Sequence, residues 1–300
     1  MLKKFEGDLD DMPVRVCRDA RGYLPQQLPI GVFDSGVGGL TVLKELQHQL
    51  PQESFLYFGD TANVPYGTRS QTEILSFVRQ ILCWMTAQPI KMAIMACNTS
   101  SALALEEVRA EFDIPILGII LPGARAAVKK GQRIGVIATP ATVASNSYPQ
   151  AIQEVNPQAQ VYQAGCPEFV PLIEHNRIRE PETLDIVRQR LQPLLSEGID
   201  TLVYGCTHYP HLAAVIQKIL PQGLQTVDPA VYITAAAKQE LELLQLRTSD
   251  QSSSTRFYVS GCPEQFAELS YQWLGFLPVV EKVILPELAI PQSIEVVEQI

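Results

Sequence analysis

Short apolar runs alternate with amphipathic stretches along most of the chain. The run PIGVF, which begins at position 29, is followed by a Gly-rich turn and by LTVLKELQHQL, whose apolar residues recur at helical spacing. The runs SFLYFGD and MAIMACN come next, and the amphipathic stretches QTEILSFVRQILCWM and TSSALALEEVRAEF follow them. This alternation predicts an α/β fold with a doubly wound parallel sheet, covered by helices on both faces.

The same order of motifs returns further along the chain. IGVFDSG at position 30 is echoed by IGVIATP at 134, LYFGDTANVP at 56 by VYQAGCPEFVP at 161, and IMACNTS at 94 by LVYGCTH at 202. Three echoes in one order predict two similar α/β units. Open parallel sheets bind ligands at the carboxyl ends of their strands. If the units face each other, Cys97 and Cys206 therefore occupy matching places on opposite walls of one cleft.

The pattern also predicts where the units begin and end. Residues 1–28 are polar and lack clear periodicity, so we expect an N-terminal extension there. Residues 29–121 together with 228–300 should form the first α/β domain, and residues 122–227 the second. The first domain is predicted to be discontinuous because the strand TRFYVSGC, near the C-terminus, is expected to return to its sheet.

Composition narrows the class of protein. The 300 residues are 46% hydrophobic and carry a formal net charge of −9 with scattered Lys and Arg, which favours a globular protein and argues against nucleic acid as a partner. No run approaches the roughly 20 apolar residues that span a membrane, and the first ten residues lack the apolar core of a signal peptide. The six cysteines are far apart and form no C-x-x-C pair, which indicates reduced thiols in a cytoplasmic protein.

Cys97 stands where a buried strand meets a predicted helix. It follows MAIMA and precedes NTSSALALEEV, in which Thr99, Ser100 or Ser101 is expected to cap the helix. Free amide N–H groups and the positive end of the helix dipole are expected to lower the pKa of a thiol at such a place. The sequence therefore suggests a reactive thiol rather than a core cysteine.

Cys206 repeats this arrangement in the second unit, where Thr207 and His208 follow it. A free cysteine is more often a small buried hydrophobe. The matching positions of Cys97 and Cys206 favour a shared chemical role for these two. We interpret the other cysteines as small buried hydrophobic residues; they are Cys17, Cys83, Cys166 and Cys262.

Three further polar residues are candidates beside the thiols. Asp34 ends the first strand of its unit, close to the end of the Cys97 strand, and its carboxylate could orient the thiol or a substrate ammonium group. Glu174 and His208 are the polar candidates beside Cys206. Glu174 fits a solvated helix position equally well, because glutamate side chains are mostly exposed.

Two ligand classes fit the motifs poorly. CTHYPH contains a cysteine and two histidines, but zinc takes four ligands, or three plus water, and this spacing matches no common zinc pattern. DSGVGG is similar to a dinucleotide-binding turn, yet Thr41 stands where a third Gly or Ala belongs and Asp34 would face the pyrophosphate. We therefore expect neither a metal nor NAD. The turn would instead aim backbone N–H groups and Ser35 at a smaller anion.

Four motifs, taken together, resemble those of the glutamate racemases, members of the aspartate/glutamate racemase superfamily. They are GVFDSGVGGLTVL, GDTANVPYG, ACNTSSA and YGCTHYPHL, and their order and spacing match over about residues 29–275. The resemblance implies an enzyme without a cofactor. It also implies two α/β domains related by a pseudo-twofold axis, with the active site in the cleft between them and one catalytic cysteine from each.

The resemblance further implies roles for individual residues. Cys97 would remove the α-proton of D-glutamate, and Cys206 that of L-glutamate. The other residues implied to contact the substrate or support the thiols are Asp34, Ser35, Tyr66, Gly67, Asn98, Thr99, Glu174, Thr207 and His208. The residues implied to belong to a carboxylate-binding loop are Thr139 and Thr142, in IATPATVAS.

The chain departs from the common pattern of this family at four positions. Leu121, Cys262, Ser100 and His211 stand where Glu, Asp, Ala and Leu, respectively, are frequent. The first two departures leave the implied catalytic residues untouched and bear on domain contacts or assembly. The resemblance does not cover the N-terminal extension or the end of the chain after position 276.

Several functions stay open at this stage. The resemblance implies two-base racemisation of glutamate, which supplies D-glutamate for peptidoglycan synthesis, by an enzyme that is commonly a homodimer. The alternatives are an aspartate or hydantoin racemase of the same superfamily, a two-lobed amino-acid-binding module without chemistry, and a redox dithiol protein. A panel of substrates would identify an aspartate or hydantoin racemase, and turnover would exclude a binding module. Thiol titration before and after mild oxidation would test for a redox dithiol protein.

Overall fold

Two all-parallel sheets form the frame of the protein. The computed structural model describes residues 24–249 and 253–287. The first sheet has the strand order β10-β9-β2-β1-β3-β4, with β1 Ile30–Asp34, β2 Phe55–Gly59, β3 Met92–Met95, β4 Ile116–Gly118, β9 Thr255–Val259 and β10 Val280–Lys282. The second has the order β6-β5-β7-β8, with β5 Arg133–Ala138, β6 Gln160–Gly165, β7 Thr201–Gly205 and β8 Gln225–Val227.

Helices connect these strands. In chain order they are α1 Leu40–Gln49, α2 Gln71–Ala87, α3 Asn98–Arg109, α4 Ile120–Lys130, α5 Pro140–Ala144, α6 Ser147–Val155, α7 Phe169–Glu174, α8 Pro181–Ser196, α9 Ala213–Gln217, α10 Pro229–Leu243 and α11 Pro263–Leu274. Among the described residues, short 3₁₀ turns lie at Pro25–Gln27, Tyr66–Thr68 and Tyr209–Leu212. Within the described ranges, no helix has the length and apolar character needed to cross a bilayer.

The two sheets share one topology. The order β2-β1-β3-β4 in the first recurs as β6-β5-β7-β8 in the second, and every pairing is parallel. All five residues of β1 and all five of β7 are buried, as expected for central strands with helices on both faces. The predicted fold class, two parallel-sheet α/β units, is confirmed. The repeat places β3 and β7 in equivalent positions, so their carboxyl ends carry equivalent residues.

The tail of the chain completes the first sheet. Strand β9, predicted from TRFYVSGC, pairs with β2 in the register Phe55↔Thr255, and β10 adds the outer edge. The predicted boundaries at 121/122 and 227/228 stay predictions. Of the predicted extension 1–28, residues 1–23 lie outside the described residues, as do residues 288–300 of the tail.

A buried ion pair anchors the first described residues to the body. The Lys91 ammonium contacts the Glu53 carboxylate and donates hydrogen bonds to the carbonyls of Gln26, at 2.8 Å, and Leu246, at 2.9 Å. Burial lowers the pKa of Lys91, and Glu53 opposes that shift. Removing one partner of such a pair typically costs about 3–5 kcal/mol, because it leaves a buried charge uncompensated. The pair therefore fixes three chain segments at the base of the sheet.

Candidate active site

A cavity of about 390 Å³ is lined by loops from both sheets. In the first unit these loops follow β1, β2 and β3, and in the second they follow β5, β6 and β7. Parallel strands that end at one edge bring their loops together there, which is the usual place for a ligand in an open α/β sheet. The two sheets thus present their carboxyl edges to a single cavity.

Most of the residues singled out from the sequence line this cavity. They are Ser35, Tyr66, Gly67, Cys97, Asn98, Thr99, Thr139, Glu174, Cys206, Thr207 and His208. Asp34 and Thr142 are not part of the lining, although each hydrogen-bonds to a residue that is. The sequence did not single out Cys166, a third buried thiol in the lining, because its echo in the first unit is not a cysteine. Burial raises the pKa of Cys166 to about 12.

The side of the cavity that carries Cys206, here called the Cys206 wall, contains a chain of acid–base groups, and the side that carries Cys97 is called the Cys97 wall. Cys206 Sγ lies 3.8 Å from His208 Nδ1, and His208 Nε2 lies 3.1 Å from Glu174 Oε1. Burial by itself would lower the pKa of His208, but contacts with the Cys206 sulfur and the Glu174 carboxylate outweigh it and raise that pKa to about 10. The imidazole is therefore protonated at neutral pH and donates at both nitrogens. An imidazolium beside a thiol favours the thiolate.

The Cys97 wall has a different electrostatic character. Cys97 immediately precedes α3 as its N-cap residue and is buried. Burial, followed by the negative charge of Asp34, raises the pKa of the Cys97 thiol to about 12, although hydrogen bonds from Ser100 oppose the rise. The prediction that the helix start lowers this pKa is wrong, because loss of solvent outweighs the helix dipole here.

The predicted hydroxyl cap of α3 is also wrong. No side chain caps this helix at Cys97, and the three hydroxyls that follow have other partners. Ser100 Oγ donates to the carbonyl of Cys97 at 3.1 Å, and Ser101 Oγ donates to the carbonyl of Met95, also at 3.1 Å. Thr99 turns toward the second unit. The hydroxyls are two to four residues past the capping position at Cys97, and so they brace the loop around the thiol instead.

Asp34 joins the two walls. Its Oδ1 accepts a hydrogen bond from the amide of Gly36 at 3.0 Å, and its Oδ2 accepts one from Thr207 Oγ1 at 3.2 Å. Thr41 Oγ1 donates to the carbonyl of Thr207 at 3.2 Å. Burial raises the pKa of Asp34, and the charge of His208 opposes the shift. The Gly-rich turn of the first unit is thereby bonded to the loop that carries Cys206.

Gly38 permits this close approach. A Cβ atom at Gly38 would lie 2.4 Å from both His208 Nδ1 and Thr207 Oγ1, well inside van der Waals contact. Any side chain would therefore push the two walls apart. The Gly-rich turn, which the sequence suggested as an anion cradle, also serves as a contact surface between the units.

Three threonine hydroxyls form a closed cluster across the cavity. Thr99 Oγ1 lies 2.9 Å from Thr139 Oγ1 and 3.1 Å from Thr142 Oγ1, and the last two are 2.9 Å apart. Thr99 comes from the first unit and the other two from the second. The cluster is buried and uncharged. Hydroxyl protons can rotate, so these groups can turn to donate to an anion.

Two more predicted residues complete the lining. Tyr66 lines the cavity, and its hydroxyl donates to Asp60, whose carboxylate also accepts from Ser260 Oγ at 2.6 Å. Gly67 packs on Thr139, at a position where a Cβ would lie 2.9 Å from that side chain. The loop after β2 is thereby held against both units.

The charge of the lining is unusual for an anion site. Its described residues include histidine and glutamate but neither lysine nor arginine. An anionic ligand would therefore depend on amide and hydroxyl donors and on the His208 imidazolium. His211, considered above as a metal ligand, instead accepts a hydrogen bond from the indole of Trp273 at 3.0 Å. In the described part of the chain, no cluster of three or more His, Cys, Asp or Glu residues is arranged to hold a metal ion.

Comparisons with known proteins agree with this architecture. The family model for Asp/Glu/hydantoin racemases matches residues 30–237. A glutamate racemase of a Synechocystis species is 64% identical over 276 residues, which cover 91% of this chain and 99% of that protein. The crystal structure of a Bacillus anthracis glutamate racemase isoform has 37% identity and a TM-score of 0.84, over 87% of this chain and 99% of that one.

A Francisella tularensis glutamate racemase, solved in complex with D-glutamate, has 35% identity and a TM-score of 0.82, over 86% of this chain and 98% of that one. The family model spans more than half of the 300 residues. The sequence identity of 64% to the Synechocystis protein, over 91% of this chain, also indicates membership of one family. The chain therefore belongs to the Asp/Glu/hydantoin racemase family.

Proposed function

We propose that the protein interconverts L-glutamate and D-glutamate by proton transfer between Cys97 and Cys206, without a bound cofactor. The observation that carries this proposal is the pair of buried thiols, one from each sheet, at equivalent strand ends and in the lining of one cavity. Relatives at 60% identity and above that bear the name glutamate racemase support the choice of substrate.

The chemistry follows from the weak acidity of an α-proton. In the direction from L to D, the Cys206 thiolate takes the α-proton while the Cys97 thiol gives its proton to the opposite face of the α-carbon. Cys97 is left as the thiolate and Cys206 as the thiol, and the reverse direction restores both. General acid–base catalysis contributes about 10²–10⁴-fold, so positioning and exclusion of water must supply much of the remainder.

Donors in the lining would stabilise the charge that develops. As the α-proton leaves, negative charge moves onto the adjacent carboxylate oxygens, and preorganised donors aimed at those oxygens lower the barrier. Ser35, Asn98, Thr99 and Thr207 line the cavity and are suited to this role. The threonine cluster would hold a carboxylate by hydroxyl donation, and Asp34 lies close behind Ser35 for the substrate ammonium.

Four finer assignments rest on the family resemblance or on the sequence pattern. We propose that the D-glutamate supplies peptidoglycan synthesis, that the enzyme works in the cytoplasm, and that it forms a homodimer. We also propose the division into domains at residues 29–121 with 228–300 and at residues 122–227. Limited proteolysis tests that division, because cleavage should concentrate near positions 121 and 227.

Racemisation in D2O tests the function. The protein, dialysed against a chelator and free of pyridoxal phosphate, is given D-glutamate in D2O, and the circular dichroism and α-deuterium content are followed. Decay of optical activity to zero with deuterium at the α-carbon is the expected result. Reaction of aspartate in place of glutamate would assign the aspartate branch of the family. Inactivity toward both under reducing conditions would favour the binding module.

A further inference from the structure

A buried tyrosine in the second unit reaches the start of helix α3 in the first. Tyr148 lies on α6 and is fully buried. Its hydroxyl donates a hydrogen bond to Oδ1 of Asn98 at 2.7 Å. Asn98 is the first residue of α3, it adjoins Cys97 in the sequence, and it lines the cavity. The bond therefore links the second unit to the polar residue next to the first thiol.

This bond leaves the other end of the Asn98 amide unpartnered. A side-chain amide has one accepting oxygen and one donating nitrogen, so fixing the oxygen fixes the nitrogen as well. Asn98 is only 1% exposed, yet Nδ2 has no hydrogen-bond partner among residues 24–249 and 253–287. Buried donors are almost always paired, and an unpaired one in a cavity wall points to a ligand that completes it.

Tyr148 is a buried donor packed against two glycines. A Cβ at Gly205 would lie 3.2 Å from Cε2 of the ring, and a Cβ at Gly123 would lie 3.6 Å from the hydroxyl oxygen. The lack of a side chain at Gly205 thus leaves room for the ring, and Gly123 lies at ordinary contact distance from the hydroxyl. Burial also raises the pKa of Tyr148, which keeps the hydroxyl protonated.

We propose that Tyr148 is a positioning residue: it orients the Asn98 amide so that Nδ2 donates to the substrate carboxylate next to the reacting α-carbon. The inference rests on the proposed racemase function. That carboxylate gains charge as the α-proton leaves, so the donor stabilises the transition state more than the bound substrate. Because the two residues belong to different units, the donor is oriented only while the units are in contact.

A double-mutant cycle tests the inference. The kcat/KM for glutamate is measured for the wild type, Tyr148→Phe, Asn98→Ala and the double variant. Tyr148→Phe should lower kcat/KM by about tenfold, as expected for one hydrogen bond, mainly through kcat. In the Asn98→Ala background the same change should have no further effect. Equal losses in both backgrounds would overturn the inference, because Tyr148 would then act independently of Asn98.

Tyr209→Phe is the matched control. Tyr209 is also fully buried in the second unit, and its hydroxyl donates to the carbonyl of Cys166 at 2.9 Å, away from Asn98. Whatever its own effect, it should add to that of Asn98→Ala. If Tyr209→Phe were coupled to Asn98→Ala as strongly as Tyr148→Phe is, loss of any buried hydroxyl would disturb the site. That result would overturn the assignment.

Asn98→Asp keeps the inference testable if Tyr148→Phe does not fold. The aspartate still accepts from Tyr148 but has no donor, so kcat should fall by at least about tenfold, the loss expected for one hydrogen bond. Unchanged kcat would overturn the role of Nδ2. If the wild type leaves glutamate unchanged, the proposed function itself is overturned. If the wild type is active but the effects of Tyr148→Phe and Asn98→Ala are additive, only this inference is overturned.

Discussion

The Cys97 wall and the Cys206 wall share a backbone plan but differ in charge. Both thiols stand at the carboxyl ends of equivalent strands, β3 and β7, in sheets of the same order. Cys206 has the His208 imidazolium 3.8 Å away, whereas Cys97 is buried beside the carboxylate of Asp34 and has its pKa raised to about 12. The repeated topology thus sets where the thiols lie, and the loop residues set which charged groups lie beside each thiol.

The difference implies an asymmetric resting state. At neutral pH Cys97 holds its proton, and the protonated His208 imidazole lies beside Cys206. In the proposed mechanism, the Cys97 thiol is therefore ready to give the proton that converts L-glutamate to D-glutamate. In the same mechanism, a turnover from L to D would leave the proton on Cys206, and that proton would have to return to Cys97 before the next turnover. The predictions below test this asymmetry.

Removal of either thiol should have the largest effect. Cys97→Ala and Cys206→Ala should each lower kcat by at least the 10²–10⁴-fold that general acid–base catalysis typically contributes. The measurement is decay of circular dichroism from each enantiomer, with thermal unfolding as the control for folding. Near-normal turnover by either variant would contradict the two-base proposal.

His208→Gln should have the next largest effect, about 10–100-fold in kcat/KM, since a charged hydrogen bond of about 1.5–3 kcal/mol is lost beside Cys206. Because the enantiomers have equal free energy in water, kcat/KM must fall equally in both directions. The asymmetry should therefore appear in kcat and KM separately. The loss in kcat should be greater from L-glutamate, where Cys206 is the base.

The pH profile sharpens this prediction. His208 is protonated below its pKa of about 10 and neutral above it, so wild-type kcat/KM should decline as the pH rises through about 10. Cys97, with a pKa of about 12, keeps its proton over that range. The decline should be missing from His208→Gln. If kcat/KM of the variant declined at the same alkaline pH as that of the wild type, the decline would belong to a group other than His208.

Asp34→Asn should favour the thiolate at Cys97 and disfavour the imidazolium at His208. The charge of Asp34 helps to raise the pKa of Cys97 and also that of His208, so both should fall when it is removed. Cys97 then alkylates with iodoacetamide at lower pH, while the imidazolium beside Cys206 is lost sooner. Activity should fall about tenfold, since a charged hydrogen bond to Thr207 is weakened. Mass spectrometry locates the alkylated thiol, and an unchanged profile for Cys97 would contradict the link.

Ser100→Ala should have the smallest effect. The amide and hydroxyl of Ser100 hold the pKa of Cys97 below the value that burial alone would give. Without the hydroxyl, kcat should fall about two- to fivefold, as expected for a weak hydrogen bond. Ser101→Ala is the control, because its hydroxyl bonds to Met95 instead. A larger loss in kcat from the control would show that the effect reflects helix packing.

The sequence predicts the fold better than the electrostatics. The apolar runs of β1, β2 and β3, the helix pattern of α2 and the matched cysteines are local signals, and each lies where it was predicted. The raised pKa of Cys97 was missed, because burial at the cavity depends on both units together. Tyr148 carries no signal in the sequence, because a tyrosine between Ser147 and Pro149 near a helix start is typical of ordinary packing. The resemblance, and not periodicity, suggested Thr139 and Thr142.

The discontinuous first sheet has a consequence for synthesis. Its strand β2 pairs on one side with β9, about 200 residues later in the chain, whereas the four strands of the second sheet lie within one continuous segment. A nascent chain therefore holds every strand of the second sheet before it can close the first. Until β9 emerges, β2 presents a free edge that can pair with other chains. The half that carries Cys97 is thus completed last, although Cys97 itself is made first.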